Sequence, residues 1–331
     1  MPRFLASPVA LQVIDAILTA PKLYLTSHIA PDGDTMGSTL GLYWGLQQIG
    51  KQTRIACADP VPASFRFLPG HELFKAQLPE PDELIVIPDA SDLQRLGSIY
   101  DAALYANRPL INIDHHVTNV CFGTLNWIEP AAASTAEIIT ELLDALGVQI
   151  DETIAACLLT GIATDTLGFR TNSTTADLME TAARLMRAGA SLPRIIEKTF
   201  NTRDLADLKM QGQVLAAMRT EDGLIWSDNT VQMRRAAGAS ESGGAGMGNT
   251  LLSVQGVRVS VVFIEKNNRQ VEVSFRARAG YDVSQLAFRL GGGGHPQAAG
   301  CLLSASLEQA HELVLPLTRA LLNGHAAAHG V

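Results

Sequence analysis

Four short apolar runs, KLYLTSH, TRIACA, ELIVIPDAS and PLINIDHH, follow one another in the first part of the chain, and a stretch with Leu40, Tyr43 and Trp44 at helical spacing separates the first two. Strand and helix in alternation are the signature of a parallel sheet covered on both faces, so the expectation is an α/β domain. Three of these runs pass directly into acidic residues or histidines. That is a poor way to end a strand unless the polar groups have work to do there.

The rest of the chain is read in the same terms. Ser7-Pro8 predicts an N-cap and first helical residue, opening an amphipathic helix broken by Gln12 and Asp15; those polar breaks exclude a signal peptide. Ser134 and Glu137 form a capping box ahead of Ile138, Ile139, Leu142, Leu143 and Leu146, with Gly147 as the stop. Two more helices are expected over about 152–163 and 175–187. Residues 1–190 thus make a first domain, 191–210 a partly helical connector where hinge motion is expected, and 211–331 a second, smaller domain. There VRVSVVFIEK and QVEVSFRAR flank Asn267-Asn268 as a hairpin, and SLEQAHELVLPLTRALL closes a mixed α/β unit with a helix. The Ser/Gly-rich ASESGGAGMGN lacks the Lys-Ser or Lys-Thr ending of a phosphate-binding loop and reads as a flexible surface loop.

A chain of 331 residues accommodates two such domains. Its net charge of -8 argues against stable binding to long nucleic acid, which relies on many Lys and Arg contacts to phosphates; a small anionic substrate held by a local charge cluster fits better. Cys57, Cys121, Cys157 and Cys301 form no CxxC pair and are expected to be buried, reduced thiols. No apolar run approaches a membrane span, and a soluble cytoplasmic protein is expected. No coiled-coil seam or interface pattern appears, which leaves the oligomeric state open, a homodimer included.

Four places set acidic residues and histidines where apolar elements end: His28, Asp32 and Asp34 in SHIAPDGDTMGS, Asp89 after ELIVIP, Asp114, His115 and His116 after PLINI, and Asp165 in CLLTGIATDT. Pro31, Gly33 and Gly37 are read as shaping the loop that carries the first group. In an open parallel sheet, sites lie beyond the carboxyl ends of the strands, so all four converge on one crevice. Several carboxylates packed together repel and are poorly solvated unless cations offset them. Oxygen and imidazole donors without a thiolate suit Mn²⁺ or Mg²⁺, and six candidate ligands favour a pair of ions sharing one carboxylate. Taken singly, each residue has a plainer explanation as a cap, turn or surface residue; it is the set that points to metal.

HIAPDGDTMGS, PDASD, NIDHHVTN and TGIATDT resemble the four motifs of the DHH phosphoesterases, and GGGGHPQAAG at Gly291 to Gly300 resembles the signature of the DHH-associated C-terminal domain of RecJ-like nucleases and nanoRNase/pAp phosphatases. The compact length is most similar to the stand-alone nanoRNase/pAp phosphatase branch, which acts on short RNA, on 3′-phosphoadenosine 5′-phosphate and in some cases on cyclic or linear diadenylate. The resemblance implies a parallel-sheet metal domain joined by a linker to a mixed α/β domain, with the active site in the cleft between them. It implies that His28, Asp32 and Asp89 hold one divalent ion and Asp34, Asp89, His115 and Asp165 the other. It also implies that His116 faces the substrate phosphate, that Asp114 fixes the neighbouring histidines, and that Arg276, Gly293, Gly294 and His295 bind a phosphate or the terminal nucleotide.

Alternation of Val271, Val273 and Phe275 with Glu272, Ser274 and Arg276 sends Arg276 and Arg278 away from the apolar face together, and the glycine run lets backbone amides approach an anion; a solvated strand face and a flexible loop are the plainer readings. Ala277 stands where family members commonly carry Ser, which bears on nucleotide selection, and Arg278 is a candidate for an additional phosphate contact. The expected function is two-metal hydrolysis of phosphate esters in short oligoribonucleotides or small nucleotides. The competing readings are a cyclic-di-AMP phosphodiesterase, a RecJ-like exonuclease, a manganese pyrophosphatase and a nucleotide-binding protein without chemistry.

Overall fold

Each of the four apolar runs forms a strand in the computed structural model: β1 (Lys22–Thr26), β2 (Gln52–Ala56), β3 (Leu84–Pro88) and β4 (Leu110–Asp114). A fifth, β5 (Leu125–Ile128), escapes the sequence reading because four residues are too few to show a period. All five pair in parallel in the order β2-β1-β3-β4-β5. The chain leaves β1 first to one side and then to the other, and such a reversal of strand order opens a crevice at the carboxyl ends of β1 and β3. The structure describes residues 3–106, 108–240 and 246–328, and the chain divides into two units, Met1–Thr202 and Arg203–Val331.

In the first unit the helices are α1 (Pro8–Thr19), α2 (Gly33–Gln48), α3 (Ala102–Tyr105), α4 (Thr135–Ala145), α5 (Glu152–Asp165), α6 (Ala176–Arg187) and α7 (Leu192–Ile196), the last running into a π-helical segment, Glu197–Asn201. The expected capping box opens α4: Ser134 Oγ accepts from Glu137 N at 3.2 Å, and Glu137 reaches back to Ala133 N at 2.8 Å, one residue earlier than the motif prescribes. Gly33 and Gly37 lie in α2 and shape no loop. With Gly41 they line a face pressed against α5: a Cβ on Gly37 would sit 2.4 Å from the Cys157 carbonyl oxygen, and one on Gly33 would overlap Thr164. Gly37 lets the two helix backbones touch, while Gly33 and Gly41 make room for the Thr164 and Leu158 side chains.

The second unit holds α8 (Leu205–Ala216), β6 (Arg219–Glu221), β7 (Leu224–Asn229), α9 (Val231–Ala237), α10 (Met247–Leu252), β8 (Val259–Glu265), β9 (Val271–Ala277), α11 (Ser284–Arg289), β10 (Gly293–His295), β11 (Ala298–Leu303) and α12 (Leu307–Ala328). Its six strands follow the order β10-β11-β9-β8-β7-β6, antiparallel except for the parallel pair β7 and β8. Val261, Phe263, Val273 and Phe275 pack with Val314 and Leu315 of α12, while Ile225 and Val262 on the other face meet Met210, Val214 and Leu251. β8 and β9 form the expected hairpin, closed by a five-residue connection in which Lys266 N donates to Gln270 O at 2.8 Å. Residues 241–245 of the Ser/Gly-rich stretch lie outside the described residues.

All four cysteines are free; Cys57, Cys157 and Cys301 are buried as expected, but Cys121 is exposed. It follows Asn119 in an irregular turn, with a left-handed φ of 54°, where no element covers it. Among the described residues no helix is long and apolar enough to cross a membrane.

Candidate metal centre

The four strand-end groups meet. His28 follows β1 by two residues, Asp32 caps α2, Asp34 lies in its first turn, Asp89 follows β3, Asp114 ends β4 ahead of His115 and His116, and Asp165 is the last residue of α5. Three sets of potential ligand atoms fall within 4.8 Å of one another: His28, Asp32 and Asp89; Asp34, His115 and Asp165; and Asp89, Asp114, His115 and His116. Asp89 joins the sets, with Oδ2 at 3.7 Å from His28 Nε2 and Oδ1 at 3.9 Å from His115 Nε2.

Each ligand is oriented by a neighbour. His28 Nδ1 lies 2.6 Å from the Ile29 carbonyl, which can only accept, so Nδ1 carries a proton, and Nε2 on the other side of the ring lies 2.5 Å from Thr35 Oγ1. Asp32 Oδ1 accepts from the amides of Asp34 and Thr35, which leaves Oδ2 as the oxygen nearer His28, at 3.9 Å. The Asp34 carboxylate takes the first two amides of α4, Thr135 N at 2.6 Å and Ala136 N at 2.9 Å, where the helix dipole favours an anion. Asp89 accepts from Thr35 Oγ1 at 2.6 Å and Thr135 Oγ1 at 3.1 Å. Its own φ is 60°, a left-handed conformation that non-glycine residues avoid and that active sites concentrate.

Carboxylates outnumber imidazoles in the cluster. Burial, then the charges of Asp89 and Asp165, raise Asp34 well above the usual carboxylate range. Burial opposes a charge on His115, yet Asp165, Asp34 and Asp89 together push it up to about 10. His115 Nε2 is buried without a hydrogen-bond partner among the described residues, although Asp165 Oδ2 lies 3.1 Å away. Donors 3.1 to 3.9 Å apart have the spacing of neighbouring ligands on an ion with bonds of about 2.1 Å. The residues therefore fit divalent cations, with His28, Asp32 and Asp89 as one set of candidate ligands and Asp34, His115 and Asp165 as another.

His116 is near Asp89, with Nδ1 at 3.8 Å from Oδ1, but its hydrogen bond goes to another carboxylate. Its Nδ1 lies 2.7 Å from Asp114 Oδ1, and Asp114 in turn accepts from Asn119 Nδ2 at 2.6 Å and from His115 N at 2.8 Å. The bond to Asp114 raises His116 against the opposing effect of burial. Burial alone would raise Asp114, but His116 and Asn119 outweigh it and hold the carboxyl below its usual range. Asn112 completes the support, accepting from Asn119 and donating to the Ile87 and Ala90 carbonyls. Thr35, Asn112, Asn119 and Thr135 were not singled out from sequence. Asn119 sits inside the quoted motif NIDHHVTN, a signal that was available; Thr135 lies far along the chain and carried none.

In the second unit Arg276 is half-buried on β9, where loss of solvent lowers its pKa, and among the described residues it bonds Ser274 Oγ at 3.2 Å and the Phe275 carbonyl at 2.8 Å. Arg278 lies beyond the end of β9, its guanidinium bonding the carbonyls of Val257 at 2.7 Å and Leu252 at 3.0 Å. The glycine run has distinct members. Cβ atoms on Gly292 and Gly294 would strike β11, at 2.1 Å from Gly300 O and 2.6 Å from Ala298 O, and Gly291 has a φ of 79°, whereas a Cβ on Gly293 would meet nothing within 4 Å. Three of the four glycines thus serve the chain itself, and Gly293 and His295 are left on the exposed edge strand β10.

Residues 22–162 match the family model described as the DHH family, N-terminal domain, and residues 228–320 match the DHHA1 domain. Over 90% of this chain and 89% of the relative, the sequence is 36% identical to the bifunctional oligoribonuclease and PAP phosphatase NrnA of Thermus thermophilus. An exopolyphosphatase-related protein from Bacteroides fragilis is similar in structure, with a TM-score of 0.87 at 24% identity over 97% of both chains. RecJ of Thermus thermophilus, solved in complex with Mn²⁺, has a TM-score of 0.56 at 14% identity, over all of this chain and 56% of that one. The two structural likenesses show the fold.

Proposed function

The chain belongs to the DHH family and is a hydrolytic phosphoesterase; on that premise we propose that it cleaves short oligoribonucleotides and 3′-phosphoadenosine 5′-phosphate with the aid of two divalent ions. The observation that carries this reading is Asp89, whose two carboxylate oxygens face the two ligand sets, one toward His28 and one toward His115. The relative of the same length from Thermus thermophilus is named for both activities. Imidazole among the donors favours Mn²⁺ over Mg²⁺. When bound, the ions supply charge offset at the phosphate and acidify a water.

The protein's own residues do the rest. Asp114 holds the His116 ring with Nδ1 toward itself, so Nε2 points away as the group offered to a phosphate oxygen. Asn119 and Asn112 keep Asp114 from turning toward the metal ligands. Thr35 and Thr135 tie both Asp89 oxygens, and the α4 amides fix Asp34, so the carboxylates are preorganised and need not move to receive cations. In the second unit Arg276, Gly293, Gly294 and His295 bind the substrate's phosphate or terminal nucleotide; an arginine with no carboxylate partner among the described residues and an exposed edge strand support that role. Arg278, engaged with two carbonyls, contributes by holding the end of β9. Residues 191–210, which include the π-helical segment, serve as the connector between domains. Four free cysteines accord with a reducing cytoplasm.

A product assay tests the reading. The purified protein in Mn²⁺ is offered 3′-phosphoadenosine 5′-phosphate, pApA, a short RNA, a longer RNA and cyclic diadenylate in parallel. Release of AMP from the first two, with the longer RNA spared, is the expected result. Preference for the longer RNA, or activity confined to the cyclic substrate, would overturn it in favour of a RecJ-like or cyclic-dinucleotide enzyme.

A further inference from the structure

One face of the second sheet is covered at one end and open at the other. Along β9 and β11 buried and less buried residues alternate, so Val273, Phe275 and Cys301 turn into the core and their neighbours turn the opposite way. The register sets those neighbours in three rungs: Arg276 opposite Ala298, Ser274 opposite Gly300, and Glu272 opposite Leu302. At the first rung α10 closes over the face, where a Cβ on Gly248 would lie 3.0 Å from Arg276 Cγ. At the third, Leu302 is 53% exposed.

The open end is a groove of about 740 Å³, lined by Lys266, Asn268, Gln270, Glu272, Gly300 and Leu302 among others. That is the size of a small-molecule site. It adjoins the residues given above to the substrate's phosphate. Gly300 pairs with Gly293 of β10, and Arg276 Nη1 turns along its strand to Ser274 Oγ at 3.2 Å, one rung nearer the groove. Successive rungs are about 7 Å apart, so an anion on this guanidinium and a group in the groove belong to one small molecule. The lining suits a flat, neutral group and not a second phosphate, because Glu272 opposes an anion and its pairing with Lys266 Nζ at 2.7 Å takes up the nearby cation. Asn268 Nδ2 donates to Gln270 Oε1 at 2.7 Å, which leaves the Gln270 amide to donate and the Asn268 carbonyl to accept. Gly300, without a side chain, and Leu302, with an apolar one, make a floor for a ring. An aromatic ring with donors and acceptors on its edge, joined to a phosphate, is a nucleotide.

We propose that this groove receives the nucleobase attached to the phosphate at Arg276, with the ring on Gly300 and Leu302 and its edge toward Glu272 and the Asn268–Gln270 pair. This rests on the functional reading above and adds to it a site for the base. A carboxylate only accepts, so Glu272 selects bases that carry an exocyclic amine, adenine, cytosine and guanine, over uracil.

The experiment is a double-mutant cycle between protein and ligand. The wild-type protein, Leu302→Gln and Glu272→Gln, all in Mn²⁺, are given pApA and two forms of it in which one base or the other is removed to leave an abasic ribose. In Leu302→Gln, kcat/KM for pApA is expected to fall by about tenfold, chiefly through KM. One abasic form should lose as much, while the form lacking the base that the groove holds stays within about twofold of wild type. Glu272→Gln should narrow the preference for pApA over pUpU; an unchanged preference would overturn the assignment of Glu272. Equal losses on all three ligands, or no loss on any, would overturn the proposal, and a change of oligomeric state by size-exclusion chromatography in the second case would give the groove to another copy of the chain. If wild type cleaves none of the three, the functional reading fails separately. Calorimetric titration of the same ligands then decides: a loss of affinity confined to the two that keep the base upholds the groove, and a uniform change or none rejects it.

Discussion

The side-chain amide of Asn119 donates to Asp114 Oδ2 at 2.6 Å, while the other oxygen of Asp114 holds His116 at 2.7 Å, so one carboxylate couples an irregular turn to the His116 imidazole. Asn119→Ala leaves Asp114 with one oxygen unpaired and frees the His116 ring. We expect kcat to fall about ten- to a hundredfold with Mn²⁺ stoichiometry unchanged, as for other residues that orient a site from behind it. Stability should drop by about 1–2 kcal/mol from the acceptors left unpaired. Unaltered kcat with a lowered Tm would confine Asn119 to a structural role.

Asp89→Asn separates charge from shape. Asparagine accepts the left-handed φ of 60° more readily than most residues and keeps the size of the side chain. Turnover should fall by roughly two orders of magnitude or more. In chelator the variant should melt higher than wild type, because Asp89 is one of the charges that push Asp34 upward. Adding Mn²⁺ at a hundredfold excess over its Kd should return the lead to wild type, whose gain is about 2.7 kcal/mol per such site. A chelated variant that melts below wild type would show that the carboxylates are not in conflict.

Gly37→Ala tests the contact between helices α2 and α5. Its Cβ would lie 2.4 Å from Cys157 O and 2.7 Å from Gly161 N, both backbone atoms with little freedom to retreat. Overpacking of this kind costs about 1–3 kcal/mol, and kcat should fall with it, because α2 carries Asp34 and α5 carries Asp165. Gly212→Ala in α8, where a Cβ meets nothing within 4 Å, is the control. It should be neutral or stabilising by up to about 1 kcal/mol. Equal Tm values for the two variants would refute the close-approach argument.

Leu167→Gly relieves a left-handed residue whose side chain is 44% exposed. Freedom from steric opposition contributes about 1–2 kcal/mol, and the extra freedom of glycine in the unfolded chain offsets up to about 1 kcal/mol of it. A net rise in Tm of about 1–4 °C is expected by differential scanning calorimetry. A fall would mean that the Leu167 side chain makes contacts worth more than its backbone strain.

Much of the first unit was legible because its signals are local. The apolar runs that become β1 to β4 declare themselves within a few residues, and their polar ends mark the crevice, since a parallel sheet places all its carboxyl ends on one side. The short strand β5 and the edge strand β10 were not legible: four residues in one case and a glycine run in the other show no alternation. Gly33 and Gly37 were read as loop residues because the acidic pattern around them suggested a loop. The reason for glycine there, the Thr164 side chain against Gly33 and the α5 backbone against Gly37, lies far away in the chain.

From the sequence alone came the identity of the chemistry: carboxylates and imidazoles at strand ends, too many for the sheet to keep without cations. Only the tertiary structure decided how each is held. The α4 amides on Asp34 and the two threonines on Asp89 all depend on groups that long-range packing brings together. A residue's donor atoms are written in its type, whereas their direction is set by partners that meet only once the chain has folded.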